Sequence, residues 1–276
     1  MYLLVKDLYH VMNNIIPEEC SLGHAIIEQI QDGKIYVDNT VEPKSYFIRN
    51  SSGGYYVGGD LNNTQFREQL IEYLKNKENH KTYYDLYASS SEWIHYMEKE
   101  LSGNVVRLGR INFEYNEKSC TEKMQVIDLP ESFRLVALDE KLYEKYVSEV
   151  DDSYAMIFSS AHDFVTNSFG FCILNQNEFV STCNAYHVSK HTAEVDVWTD
   201  SKYRNQGYAT MVVREFVKHC RMKNQLPLWN ADKGNIASNH LASKCGFEKI
   251  YEEEELWWHE DKWQIEQYLK RYGYIE

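Results

Sequence analysis

The chain has 276 residues, 43% hydrophobic, 14% aromatic and 26% charged, with only 4 prolines. That profile excludes a disordered chain and fits one large domain or, as read here, two ordinary ones. Acidic residues outnumber basic ones 42 to 29, a formal net charge of −13, so no broad positive field exists to hold a phosphate backbone or an anionic lipid surface, and neither nucleic acid nor membrane is an expected partner.

The N-terminal stretch reads as helix over Leu3–Asn14 and Gly23–Gln31. Short strands follow at Lys34–Asp38, Ser45–Arg49 and Tyr55–Val57, separated by Gly-rich turns, which predicts a three-stranded antiparallel meander. Phe66, Leu70, Ile71 and Leu74 recur at helical spacing within Thr64–Lys77, Tyr83–Tyr87 reads as a strand, and Ser90 opens a helix running to Leu101. Val105–Tyr115 closes this half. The polar stretch Asn116–Lys123 lacks apolar periodicity, and the domain boundary is set there, giving domains 1–125 and 126–276.

The second half has helices at Leu138–Val150 and Ser153–Ser159, a hairpin of Gly170–Leu174 and Phe179–Val188, and a strand at Ala193–Thr199. A loop enters a helix at Tyr203–Ala209 that runs to Met222, followed by strand Leu226–Ala231, helix Ile236–Lys244 and strand Phe247–Trp258. Both halves share one order of strands and helices without visible repetition of residues, which predicts a structural duplication. The six cysteines form no CxxC pair and His187 and His191 fall in a hairpin, so free thiols and no metal site are expected. No run reaches the ~18 apolar residues of a membrane span, and the N-terminus lacks a basic region followed by an apolar block, so a cytoplasmic protein is expected.

The chemistry-bearing stretch is Ala193–Phe247. A tight loop, Lys202–Gly207, delivers the chain into a helix whose first turn holds Gly207 and Ala209, small residues where unpaired amides and the positive end of the helix dipole can meet a phosphate. By itself the spacing R-x-x-G-x-A is equally a loop and a helix cap. Glu194 and Asp196 alternate onto one strand face with Trp198. Two carboxylates there could attract an ammonium and take its proton, their repulsion raising one pKa; the alternative is a solvated strand edge. Ser181, Cys183 and His187 share a face as well, yet no third group orients them, and a central-strand cysteine is read as an inert thiol.

Glu194, then Tyr203-Arg204-x-x-Gly207-x-Ala209, then Asn235-x-x-Ser238-x-x-Leu241-x-x-x-x-Gly246-Phe247 resembles the GNAT superfamily of acetyl-CoA-dependent N-acetyltransferases, over about Phe133 to Trp258. The hairpin and the Leu226–Trp229 stretch look like the branch that includes zwittermicin A resistance acetyltransferases. The resemblance implies an α/β (α+β) fold: a C-terminal GNAT domain with a mixed, mostly antiparallel sheet flanked by helices. The first half, without an R-x-x-G-x-A loop, is expected to be a degenerate GNAT-like, non-catalytic domain that shapes the acceptor pocket.

Carried over by position, the resemblance implies that Arg204, Asn205, Gln206, Gly207, Tyr208, Ala209 and Thr210 hold the pyrophosphate. Main-chain groups of Val197, Trp198 and Thr199 would pair with the pantetheine arm, and Asn230, Asn235 and Ser238 would line the other wall. Glu194 matches the strand carboxylate that serves as general base, with Asp196 beside it. Where many family members carry a Tyr that protonates the departing thiolate, this chain has Ala242. The expected activity is transfer of acetyl from acetyl-CoA to a primary amine of a small, cationic, antibiotic-like molecule in a ternary complex, without metal. The other readings are an acyl-CoA sensor without turnover and a protein or peptide N-acetyltransferase. The sequence is compatible with a monomer or a homodimer.

Overall fold

The computed structural model describes residues 1–119 and 128–276; the expected 125/126 boundary and Cys120 lie outside the described residues. The chain begins with β1 (Tyr2–Leu3), a 3-10 segment (Lys6–Met12), α1 (Ser21–Ile27), β2 (Gly33–Val37), β3 (Ser45–Asn50) and β4 (Gly54–Gly59). It continues through α2 (Thr64–Lys75), β5 (Tyr83–Ala88), α3 (Ser91–Glu100) and β6 (Val106–Tyr115). Then come β7 (Phe133–Ala137), α4 (Glu140–Glu149), α5 (Tyr154–Ile157), α6 (Ala161–Asn167), β8 (Gly170–Asn175), β9 (Glu178–Val188) and β10 (Thr192–Thr199). The last elements are α7 (Tyr208–Lys223), β11 (Leu226–Asp232), α8 (Ile236–Lys244), β12 (Phe247–His259) and α9 (Lys262–Arg271).

Packing divides the chain into two compact units: Met1–Arg110 with Asp232–Gly234 and Glu252–Glu276, and Ile111–Ala231 with Asn235–Tyr251. The division falls inside β6 and β12, so each unit takes part of its closing strand from the other repeat. Glu252–Glu276 therefore belong with the first unit, where β12 runs antiparallel to β5 with Leu256 opposite Leu86 and His259 opposite Tyr83. A single linear cut does not describe this exchange. The shared order is nonetheless visible: β2-β3-β4-α2-β5-α3-β6 and β8-β9-β10-α7-β11-α8-β12 each run as meander, helix, parallel strand, helix, strand.

In the first unit the strand order is β1-β2-β3-β4-β5-β12. Successive residues alternate between two cores. Tyr55 and Val57 join Phe66, Leu70, Trp93 and Met97 of α2 and α3, whereas Tyr56 joins Met12, Ile16 and Ile26 on the other face. Asn63 caps α2 by accepting from the Phe66 amide at 3.1 Å. Gly59 must be glycine, because its φ is +88° and a Cβ there would meet the Lys44 carbonyl oxygen at 1.9 Å.

In the second unit β7, β8, β9 and β10 are successive antiparallel neighbours, and β11 adds in parallel to β10. One core packs Tyr143 and Tyr146 of α4, Tyr154 of α5, Phe158 just after it and Phe164 of α6 against Cys172, Leu174 and Phe179. On α7, Val212, Val213, Phe216, Val217 and Cys220 recur at the three- and four-residue spacing that buries one helical face. Each fully buried Val or Phe contributes roughly 1.5–3 kcal/mol relative to exposure, so α7 is fixed mainly by this stripe. The five described cysteines are buried thiols.

Candidate active site

The parallel register between β10 and β11 pairs Thr192 with Leu226, Ala193 with Pro227 and Glu194 with Leu228. Beyond Glu194, β10 continues to Thr199 in register with β9, opposite Ser181. The two parallel strands part after Glu194, and the main chain of Val197, Trp198 and Thr199 borders the gap. A parallel pair that ends early leaves backbone donors and acceptors facing the opening, which suits an extended amide-bearing ligand. The register of β9 shifts by one residue opposite Glu194, between Ala185 and Val188, so Tyr186 and His187 form a bulge at the root of the gap.

After Thr199 the loop turns sharply. Asp200 accepts from the Lys202 amide at 2.9 Å, Arg204 Nε donates to the Thr199 carbonyl at 3.2 Å, and Gln206 Nε2 to the Lys202 carbonyl at 3.2 Å. Asn205 and Gly207 take positive φ, 60° and 86°. Gly207 is the N-cap of α7 and offers no side chain to the first-turn amides. Tyr208 stacks on Phe133 at 5.5 Å and is buried, and Tyr203 meets the same ring edge-on at 5.8 Å. Arg204, Asn205 and Gln206 are exposed, Ala209 is half-buried and Thr210 is buried beneath the turn. The expected loop is thus assembled as one structure, with Tyr203, Tyr208 and Thr210 serving as its anchors.

On the face of β10 that meets α4 and α5, Asp196 Oδ2 accepts from Tyr154 Oη at 2.9 Å and from Tyr146 Oη at 3.5 Å. Trp198, next on this face, packs against the same tyrosine-rich core. Burial, followed by the nearby Asp151 charge, pushes the Asp196 carboxyl up to about 6, while the two tyrosine hydrogen bonds oppose the rise. Tyr154 is itself held far above the ordinary phenol range by burial and by Asp196, so it remains a neutral donor. Glu194 is half-buried at the root of the gap, one strand position earlier on that face.

The remaining expected residues fall into two groups. Asn235 caps α8 by accepting from the Ser238 amide at 3.2 Å, and Ser238 Oγ accepts from Trp229 Nε1 at 3.0 Å. Asn230 lies on the opposite face of β11 from Trp229 and donates to Asn112 Oδ1 at 2.9 Å. Asn235 and Ser238 are therefore brought together, and the Asn230 side chain is not with them. Ala242 is fully buried in α8, so no ionisable group occupies that position. Burial raises the Cys183 thiol far above its usual range and lowers His187 to about 4, which makes this pair a neutral thiol and a neutral imidazole.

The sequence reading missed Tyr146, Tyr154, Asn184 and Thr182. Asn184 pairs with Asp196 and Thr182 with Trp198 across β9 and β10. The Asn184 side chain and the Thr182 hydroxyl are buried and face the Tyr146 hydroxyl, which they hold toward its ionised form. Period-two alternation from Asp196 could have flagged Asn184 and Thr182 as polar residues on an inward face; no local signal ties Tyr154 to Asp196, 42 residues away.

A family model described as GNAT acetyltransferase matches residues 12–254. The chain belongs to the GNAT acetyltransferase family. It is an acyltransferase, and GNAT acetyltransferases use acetyl-CoA. It is similar to the uncharacterized N-acetyltransferase YdfB of Bacillus subtilis (strain 168), 29% identical over 251 residues, 90% of this chain and 95% of that protein. Among solved structures it resembles a GCN5-related N-acetyltransferase-like protein from Streptococcus suis 89/1591, with a TM-score of 0.67 and 23% identity over 82% of this chain and 88% of that one. A tandem GNAT protein from the clavulanic acid biosynthesis pathway, solved without AcCoA, aligns with a TM-score of 0.57 and 10% identity over 92% of each chain. These structural matches establish the GNAT fold. No helix among the described residues is long and apolar enough to cross a membrane.

Proposed function

We propose that this acyltransferase moves acetyl from acetyl-CoA to the primary amine of a small cationic molecule, using the second unit alone for chemistry. The observation that carries the reading is the parting of β10 and β11 just beyond Glu194, with Asp196 clamped by two tyrosines on the strand that borders the gap. Acetyl-CoA supplies an activated thioester. The exposed Arg204, Asn205 and Gln206 and the first-turn amides of α7 at Gly207, Tyr208 and Ala209 suit its pyrophosphate; the β10 main chain at Val197–Thr199 suits the amide-bearing arm. Asn235 and Ser238 support the α8 side of the fold, and Asn230 is proposed to act there through its main chain.

Asp196 is the better placed base. An amine of pKa ~10.4 is protonated near neutrality and must lose a proton before it attacks, and a carboxylate titrating near 6 is ionised and receptive at pH 7. Asp196 takes one proton from the ammonium, the freed amine nitrogen bonds to the carbonyl carbon, and as the carbon–sulfur bond breaks to release the coenzyme thiolate the nitrogen gives up its second proton to solvent, leaving the neutral amide. With alanine at 242, solvent protonates the thiolate, whose conjugate acid at about 8.5 makes it a tolerable leaving group. Glu194, Asp196 and Asp151 with the rings of Tyr186 and Trp198 favour an ammonium over an anion.

In the first unit two features argue against a second coenzyme site. β4 and β5 stay paired from Gly54–Asp85 to Val57–Ala88, so no gap opens, and α2 is capped by the Asn63 side chain where Gly207 leaves α7 uncapped. Thiol release from acetyl-CoA, measured against a panel of primary amines and matched carboxylic acids, tests the reading: turnover restricted to amines and lost in Asp196→Asn supports it, and undiminished turnover in that variant refutes the assigned base.

A further inference from the structure

We propose that Tyr154 is a positioning residue for acyl transfer, holding Asp196 through Oδ2 so that Oδ1 is turned to the acceptor; this rests on Asp196 acting as the base. The two tyrosine donors converge on a single oxygen, Oδ2, with Tyr154 at 2.9 Å and Tyr146 at 3.5 Å. Of the two, only Tyr154 is within strong hydrogen-bond range.

Tyr154 is fully buried, so its hydroxyl cannot touch an incoming acceptor or thioester. Its ring is fixed on several sides: edge-on to Tyr146 at 5.3 Å, to Phe164 at 6.0 Å and to Tyr186 at 5.6 Å, and stacked with Phe158 at 6.3 Å. A donor locked this way cannot follow Asp196 if the carboxylate rotates, and rotation about the Asp196 side chain is thereby stopped. Asn184 lies across the strand pair from Asp196, and its buried side chain and the buried Thr182 hydroxyl both face the Tyr146 hydroxyl. The pocket around the carboxylate is therefore polar by construction, and not an accidental contact in an apolar core.

The charged and titratable groups around Asp196 are Asp151 after α4, Tyr146 of α4, Tyr154 of α5 and Glu194 on its own strand. On β9 they are Cys183 and the bulge residues Tyr186 and His187. Among the described residues only the two α4 and α5 hydroxyls donate to the carboxylate, and their removal withdraws stabilisation from its ionised form. Loss of one strong donor to a charged acceptor is worth about one pH unit in its titration.

The test uses the full chain labelled with carboxyl-13C aspartate, with the Asp196 signal assigned by its disappearance in Asp196→Asn. Tyr154→Phe is expected to raise the Asp196 midpoint by about one pH unit, whereas Tyr143→Phe, which removes a buried hydroxyl of the same core that does not meet Asp196, leaves it in place. With acetyl-CoA and spermidine as the probe amine, the acid limb of kcat/KM moves up in Tyr154→Phe by the same amount. If Tyr154→Phe does not fold, fluorotyrosine incorporated for tyrosine strengthens the donor and must lower the midpoint. An unmoved midpoint in these chains overturns the inference. Wild-type thiol release by Asp196→Asn instead overturns the base assignment, while a shifted midpoint would still show that Tyr154 holds the carboxylate.

Discussion

Replacing Asp196 by Asn is expected to make the protein more stable and less active. The native carboxyl titrates near 6 against an ordinary value of 3.8. Between these values the native state binds the proton that the unfolded chain has released, so stability falls as pH rises from about 4 to 6 and stays lowered above that. The difference of about two units corresponds to about 3 kcal/mol at pH 7. Since Asp196 is only partly screened from water, we expect about 1–3 kcal/mol to be recovered by the neutral isostere. The side-chain amide introduced by Asp196→Asn retains an oxygen for Tyr154, so the hydrogen bond survives. Urea unfolding of wild type and Asp196→Asn at pH 3 and pH 7 checks the sign: nearly equal midpoints at pH 3, below both titrations, and a higher midpoint for the variant at pH 7. A variant less stable at pH 7, or one whose advantage does not change with pH, refutes the reasoning.

Three further outcomes follow from the same packing. Glu255 is fully buried and pairs with Arg110 at 3.4 Å, so Glu255→Ala takes one acidic partner from a buried guanidinium that Asp85 also faces, and should cost about 3 kcal/mol by chemical denaturation. A Cβ at Gly170 would sit 2.1 Å from Asn184 Oδ1; Gly170→Ala should cost about 1–3 kcal/mol and displace the Asp196 titration, read by the same carboxyl signal. A crystal structure should show the buried Asn184 and Thr182 side chains hydrogen-bonded to the Tyr146 hydroxyl or to ordered water; an apolar, dry contact there would contradict the polar reading of this pocket.

Much of this architecture was legible because it is local. The run Ile236–Lys244 set α8 to the residue, and the Lys202–Gly207 loop marked the entry to α7, which starts at Tyr208 with Gly207 as its cap and not within its first turn. Where the sequence misled, the competing effect was also physical. Leu3–Asn14 carries helical spacing, yet it forms a short strand pairing Tyr2 with Val37 and then a 3-10 segment, because edge pairing with β2 won over propensity. The charge run Glu252–Glu255 is not a uniformly solvated face: alternation along β12 buries Glu255 against Arg110 and leaves Glu252 to Lys233 at 2.7 Å. Helices α6 and α9 were not expected at all. The exchange of closing strands and the Tyr154–Asp196 contact depend on long-range pairing, and no periodicity in a single segment encodes them.

The central claim is that the loop from Arg204 to Thr210 and the gap beside β10 form the coenzyme site. Calorimetric titration of acetyl-CoA into wild type and into Gly207→Glu tests it most directly, because a glutamate at the N-cap places a charge and a side chain where the pyrophosphate must sit and where φ is 86°. Micromolar binding by wild type is expected, together with its loss in a variant that keeps the wild-type fold by circular dichroism. Equal binding by the two proteins, or none by wild type, would contradict the claim.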